Sequence, residues 1–280
     1  MSEPLVAVTG ASGAVGARVA ARLAAAGVPQ RLAVRDARRA PKLAGASVRG
    51  GADYGDYEAM RAALDGAGTL LLIPAAEHPH RVMQHTTAVD AAVAAGVQRI
   101  VYLSFVNAAP DATFTLARHH WATEEHVRAQ DVGFTFLRMS LYMDFIPSMA
   151  ASDGVIRGPA GDGRVAAILR DDVAAAAAAV LTSAGHDGAT YDLTGREAFS
   201  LAEAAALMAR VTGGDVRYEN ETDAEAFASR ASYGAPDWEV EGWVSSYQAI
   251  RDGSLDLVST DVRALTGAEP RTLEEYLAAV

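Results

Sequence analysis

The segment Leu5 to Gly16, reading Leu-Val-Ala-Val-Thr-Gly-Ala-Ser-Gly-Ala-Val-Gly, limits what this chain can fold into more than any other. Leu5 to Val8 is a short apolar run, the pattern of a strand covered on both faces. Gly10, Gly13 and Gly16 follow it, and an alanine-rich helical stretch from Ala17 to Ala26 ends at Gly27, a residue suited to a helix C-terminus. The glycines therefore fall where a strand turns into a helix. Without Cβ atoms, Gly10 and Gly13 allow a tight turn and close approach of a ligand, and Gly16 allows the helix to pack on the sheet. Free N–H groups and a positive dipole end at the helix start suit a pyrophosphate. The competing explanation is an ordinary glycine-rich turn; the strand before and the helix after weigh against it.

The rest of the chain alternates in the same manner. Strands are expected at Arg31–Val34, Ser47–Gly50, Thr69–Ile73, Arg99–Leu103, Phe134–Arg138 and Thr190–Leu193. Helices are expected at Tyr57–Leu64, Arg81–Ala95 and Thr115–Gln130, and in the alanine-rich stretch opened by Asp171 and Asp172. This order implies an α/β fold, a doubly wound parallel sheet with right-handed crossovers. The last third differs. Ser200-Leu-Ala-Glu203 and Thr272-Leu-Glu-Glu275 are capping-box patterns that open helices, Val216–Glu219 reads as a short strand, and Tyr233, Trp238, Trp243 and Tyr247 suggest an apolar lid or a small aromatic core. Residues 1–148, completed by about 166–195, are expected to form the nucleotide-binding domain. Residues 196–280, with about 149–165, are expected to form a smaller C-terminal α/β lobe that binds substrate.

Arg35 stands nineteen positions after Gly16, where such a fold reads the adenosine ribose. An arginine there favours a 2′-phosphate, and Arg38, Arg39 and Lys42 lie near. NADPH is therefore expected over NADH, with Asp36, one register step away, as the opposing sign. Asp53 and Tyr54 follow the third strand, at the ligand-binding edge, where Asp53 is placed to accept from the adenine amino group or to cap a helix. Asp56 is expected to cap the helix at Tyr57. Formal charge is −11 and no long basic run occurs, which argues against a nucleic-acid partner. With no cysteine, disulfides, thiolate catalysis and cysteine zinc sites are excluded. Seven scattered histidines show no metal-binding spacing, so no metal is expected. No signal peptide or membrane span is visible, and a soluble cytoplasmic protein is expected.

The chain resembles the NmrA-like group of atypical short-chain dehydrogenase/reductases. The likeness rests on Val8–Gly16, Ala52-Asp-Tyr-Gly-Asp56, Leu70–Ile73 and His120-Trp-Ala-Thr-Glu124, with Gly133–Arg138 after it. Ala160-Gly-Asp-Gly163, Tyr247–Gly253 and Leu265–Pro270 extend it across nearly the whole chain. The resemblance implies a Rossmann domain, a small C-terminal lobe and NAD(P)H bound between them. On matching positions it implies cofactor contacts from Gly10, Ser12, Ala14, Val15, Arg35, Asp53, Tyr54, the Pro74–Ala75 turn and Tyr142.

Ordinary members of the wider superfamily use a Tyr-x-x-x-Lys pair. Here the one lysine, Lys42, has no tyrosine four residues before it, and Thr115 and His119 occupy the matching spacing on the helix. Reduction of an unactivated ketone, which needs a placed general acid, is disfavoured. A quinone needs less, because reduction restores aromaticity and its phenolate collects a proton easily. The expected function is thus NADPH-dependent reduction of quinones or similar conjugated acceptors by direct hydride transfer, without flavin. The alternative is a non-catalytic NADP(H) redox sensor. Tyr142, past the sixth strand, and His120, on the bordering helix, are candidates to orient substrate or give a proton. Ser104 is a candidate to hydrogen-bond nicotinamide or substrate. His120 as a packed histidine and Ser104 as a loop cap are the plainer alternatives. A small aromatic or conjugated partner is expected, and a homodimer is left open.

Overall fold

The computed structural model describes residues 5–279. The elements in chain order are β1 (Val6–Thr9), α1 (Ala14–Ala25), β2 (Gln30–Ala33), β3 (Ala46–Arg49), α2 (Tyr57–Leu64), β4 (Thr69–Leu72), α3 (Arg81–Ala94) and β5 (Arg99–Phe105). They continue with α4 (Thr115–Arg128), β6 (Gly133–Met139), β7 (Val155–Gly158), β8 (Arg164–Val165), α5 (Arg170–Thr182), β9 (Thr190–Leu193) and β10 (Phe199–Ser200). The chain closes with α6 (Leu201–Thr212), β11 (Arg217–Asn220), α7 (Asp223–Arg230), α8 (Asp237–Arg251), α9 (Asp261–Thr266) and α10 (Leu273–Leu277).

Seven strands form one sheet in the order β3-β2-β1-β4-β5-β6-β9, and β1 to β5 pair in parallel. The protein thus has the α/β, Rossmann-type fold. β1 and β4 are buried at every residue, which is why both read as unbroken apolar runs rather than alternating ones. Strand order reverses between β1 and β4, so the crevice outside their carboxyl ends is the place where an open α/β sheet takes a ligand. α2 packs beside α3, and Met60, Leu64, Val89, Ala92 and Tyr102 are fully buried in the core beneath them.

The chain divides into two compact units. The first comprises residues up to Phe105, His119–Arg138 and Val173–Tyr191. The second comprises Val106–Arg118, Met139–Asp172 and the chain from Asp192 onward. Val106–Arg118, expected with the nucleotide-binding domain, belongs to the second unit. Within that unit Asn107 donates to the Ser254 carbonyl and Thr113 to the Asp252 carboxylate.

Inside the second unit, β7 and β11 pair in parallel and β8 and β10 pair antiparallel. Tyr218 on β11 donates its hydroxyl to the Gly158 carbonyl (2.7 Å) and accepts from the Ala160 N–H (3.0 Å), which fixes the turn that leads to Gly163. Two glycines let this region close on α8. A Cβ on Gly158 would lie 2.1 Å from the Tyr247 ring, and one on Gly163 would lie 2.1 Å from the Ile250 carbonyl oxygen. Replacing Gly163 with alanine forces one backbone away from another. Urea unfolding of Gly163→Ala is expected to show a loss of about 1–3 kcal/mol, the usual cost of overfilling a packed contact.

Candidate functional site

The glycine turn has the geometry its spacing predicts. Gly10 has φ of 60°, the left-handed conformation that glycine adopts without strain, and its carbonyl accepts from the Gly13 N–H at 2.9 Å. Gly13 is the N-cap of α1, yet no side chain caps that helix and its first turn carries no acidic residue. The N–H groups of Ala14, Val15 and Gly16 therefore have no partner within the helix. A Cβ on Gly16 would lie 2.3 Å from the Gly10 carbonyl oxygen, so this glycine serves the contact between α1 and the turn. Val15 is buried; its side chain faces the core, and only its backbone can meet a ligand. α1 starts three residues earlier than the alanine run suggested, with Gly13 in extended conformation at its N-cap.

The turn opens on a cleft of about 480 Å³ in the first unit, lined by Gly10, Ser12, Gly13, Arg35, Asp53 and Tyr54, with Ile73 to His78 along one wall. Arg35 is exposed beside it, and Arg39 stands with it. Asp36 is not on the cleft. Its carboxylate takes both Nε (3.0 Å) and Nη2 (2.9 Å) of Arg38 and the Arg38 N–H (3.0 Å), bonds that hold it below the usual carboxylate range. Asp53 receives the Gly55 N–H at 2.9 Å, and Asp56 caps α2 through the Ala59 N–H at 3.0 Å. The Tyr54 hydroxyl donates to the Ile73 carbonyl, and burial pushes that phenol well above its ordinary value.

Tyr142 lies in the second unit. There a cavity of about 620 Å³ is walled by Tyr142, Phe145, Ile146, Met149, Trp243 and Tyr247. Trp238 does not line it, while Tyr233 does. Phe145 and Tyr233 keep 55% and 72% of their surface exposed, large values for aromatic side chains on a cavity wall. Two guanidinium groups also reach this cavity, and both are neutralised. Arg230 pairs with Glu221 at 2.9 Å and lies over the Tyr247 ring, and Arg157 pairs with Asp153 (2.7 Å) and Glu219 (3.2 Å). Arg170 stacks 4.1 Å over the Tyr142 ring and pairs with Asp144 at 2.8 Å.

His120 and Ser104 are both buried in the first unit. Neither lines either cavity. Ser104 is fully buried at the last position but one of β5 and donates to Glu124 Oε1 at 2.6 Å. The Glu124 carboxylate, wholly buried, also takes Arg138 (2.6 Å) and Arg128 (3.0 Å). His120 is 2% exposed, with Tyr102 on Nδ1 at 2.8 Å and Arg81 on Nε2 at 3.2 Å. Burial, then the Arg81 charge, then the neighbouring histidines hold its pKa well below 6.5, so it carries no spare proton. His85 is held down in the same way by burial, Arg81 and His119.

Sequence reading passed over Arg81, His85, Tyr102 and Thr123. The signal was present: Arg81 and His85 share one face of α3 by their four-residue spacing, and Tyr102 interrupts an otherwise apolar buried strand. Polar side chains at positions that periodicity assigns to a core require partners. Among the described residues, no group of three or more His, Cys, Asp or Glu side chains is placed to hold a metal ion. No described helix is long and apolar enough to cross a membrane.

A glycine cradle and an uncapped helix at the strand-order reversal define a nucleotide-binding protein of the doubly wound class. The chain belongs to the NmrA-like family, whose model matches residues 2–277. It is 36% identical over 278 residues to quinone oxidoreductase 2 of Escherichia coli, covering 97% of this chain and 96% of that one. A crystal structure of that E. coli NADPH-dependent enzyme complexed with NADPH superposes with a TM-score of 0.90, 35% identity and 98% and 99% coverage. The chain is also 37% identical over 282 residues to a (4-alkanoyl-5-oxo-2,5-dihydrofuran-3-yl)methyl phosphate reductase of Streptomyces griseus, covering 98% and 97%. The triphenylmethane reductase of Citrobacter sp., solved with NADP(H), matches at TM-score 0.87 and 32% identity over 98% and 100%.

The buried histidines set a pH dependence of stability. Their folded pKa values lie below the unfolded value of about 6.5. Their contribution is therefore complete above pH 6.5 and is lost as pH falls, because the unfolded chain binds protons that the native one does not. Urea unfolding is expected to show stability declining below pH 6.5 by up to about 1.4 kcal/mol per pH unit for each histidine, and His85→Asn to flatten that decline. An unchanged slope in the variant would mean that His85 protonates in the native protein.

Proposed function

We propose that this protein is an NADPH-dependent oxidoreductase that reduces quinones or similar flat conjugated acceptors. The observation that carries the reading is the cleft at the β1–β4 reversal, bordered both by the turn at the uncapped start of α1 and by Arg35 and Arg39. The residues fit a dinucleotide with a 2′-phosphate. The backbone of Gly10 to Gly16 and Ser12 takes the pyrophosphate, Arg35 takes the 2′-phosphate, and Asp53, Tyr54, Pro74 and Ala75 border the nucleotide. Asp36, spent on Arg38, does not compete for the ribose. The bound nicotinamide supplies a hydride.

The acceptor belongs in the aromatic cavity of the second unit, which offers flat apolar walls and no unpaired charge among the groups described above. Tyr142 lines that cavity and is the remaining candidate to orient the acceptor or return a proton. A quinone product needs little more, since its phenolate can be protonated from water. The relatives named as quinone oxidoreductase, triphenylmethane reductase and (4-alkanoyl-5-oxo-2,5-dihydrofuran-3-yl)methyl phosphate reductase support the reductase reading over a purely sensory one.

Purified protein is expected to oxidise NADPH, followed by loss of reduced-nicotinamide absorbance, only when a quinone is added. Tight NADPH binding with no turnover across a quinone panel would instead favour the sensor. Arg35→Asp is expected to weaken NADPH by about 10- to 100-fold, the loss of one or two charge-assisted hydrogen bonds, while leaving NADH affinity within a few-fold. Equal loss for both cofactors in a binding titration would remove Arg35 from the 2′-phosphate.

A further inference from the structure

Along the wall of the first unit's cleft from Ile73 to Ala75, the backbone N–H and carbonyl groups of Ile73 and Ala75 are all bonded within the protein. Ile73 N–H donates to Thr9 Oγ1 at 2.9 Å, and the Ile73 carbonyl accepts from Tyr54. Ala75 N–H donates to His85 Nε2 at 2.9 Å, and the Ala75 carbonyl accepts from Arg81 Nε at 2.9 Å. Pro74, between them, has no N–H to offer. Ile73 and Ala75 therefore offer the cleft hydrocarbon, and the Pro74 carbonyl is the one backbone group of the stretch left without a partner among the described residues. Such a wall suits the face of a flat ring and makes little demand for hydrogen bonds.

The partners that hold this wall are themselves held in one arrangement. An amide N–H only donates, so His85 Nε2 is the bare nitrogen and Nδ1 carries the proton. Nδ1–H then donates to Thr123 Oγ1 at 2.8 Å, and that hydroxyl donates to the His119 carbonyl at 2.8 Å. A guanidinium likewise only donates, so Arg81 fixes His120 Nε2 as an acceptor. His120 Nδ1–H must then point to the Tyr102 oxygen at 2.8 Å. Both tautomers are dictated from the ends of the network by groups with no choice of role. The whole arrangement sits in the first unit, on α3, β5 and α4.

We propose that His85 is a positioning residue for the dinucleotide: by accepting the Ala75 N–H it keeps the Ile73–Ala75 wall flat and apolar toward the cofactor. The inference rests on the NADPH reading above and adds a residue outside the cleft to it. Without that acceptor, the Ala75 N–H is left unsatisfied and turns to find water or ligand, which reshapes the wall.

The test compares His85→Asn with His85→Gln. The glutamine amide oxygen reaches the place of Nε2, and the shorter asparagine does not. NADPH dissociation constants from a fluorescence titration are expected to rise about tenfold in His85→Asn, the worth of one such hydrogen bond, and to stay within about threefold in His85→Gln. KM for NADPH should follow the dissociation constant, with kcat at saturating NADPH changing much less. Hydrogen exchange of the Ala75 amide, measured without cofactor, should be fast in the Asn variant and protected in the wild type and the Gln variant. Equal affinities in the Asn and wild-type proteins, or equal losses in Asn and Gln, would overturn the assignment while leaving the NADPH site standing. Failure of the wild-type protein to bind NADPH would overturn both. Should the Asn variant not fold, Thr123→Val, which removes the acceptor of Nδ1–H, carries the test: faster Ala75 exchange with weaker NADPH binding supports the proposal, and no change in either overturns it.

Discussion

The ligand-facing half of the molecule depends on how closely α1 approaches the end of β1. The Cα of Gly16 stands against the Gly10 carbonyl at a distance that leaves no room for a methyl group. That contact points the start of α1 at the strand-order reversal, and with it a set of backbone N–H groups that no side chain satisfies. A polar group left unpaired in a fold costs free energy, so an uncapped helix at this place is more informative than the glycines alone. Arg35 and Arg39 line the same cleft, so backbone N–H groups and guanidinium groups face one space.

Much of this could be read from the chain, for identifiable reasons. Parallel strands buried on both faces leave unbroken apolar runs, so β1 and β4 at the centre of the large sheet stood out. Side-chain caps leave local signatures, and Asp56, Ser200 and Thr272 cap the helices that their spacing suggested. The pieces that escaped notice are non-local. β7, β8 and β10 are two to four residues long and pair with partners far along the chain, so no short window contains their signal. The glycines at Gly158 and Gly163 look like loop residues in sequence and prove to be packing residues against α8.

The same limit explains the reassignment of His120 and Ser104. Each lies near the carboxyl edge of the sheet in sequence order, where reactive groups gather in this fold. What sequence order does not reveal is the side on which a side chain points. His120 turns toward Tyr102 and Arg81, and Ser104 toward Glu124, because an arginine, a carboxylate and two imidazoles already buried there need partners. Polar residues inside this unit form a scaffold before they form a site.

The paired guanidinium groups around the second unit's cavity carry one consequence for kinetics. With Arg157, Arg170 and Arg230 each matched by a carboxylate, that cavity exerts little long-range pull on a charged molecule. The chain as a whole carries a formal charge of −11. Encounter with a neutral, lipophilic molecule is then governed by diffusion and partitioning and is indifferent to ionic strength, whereas a sulfonated one meets a repulsive field that added salt screens.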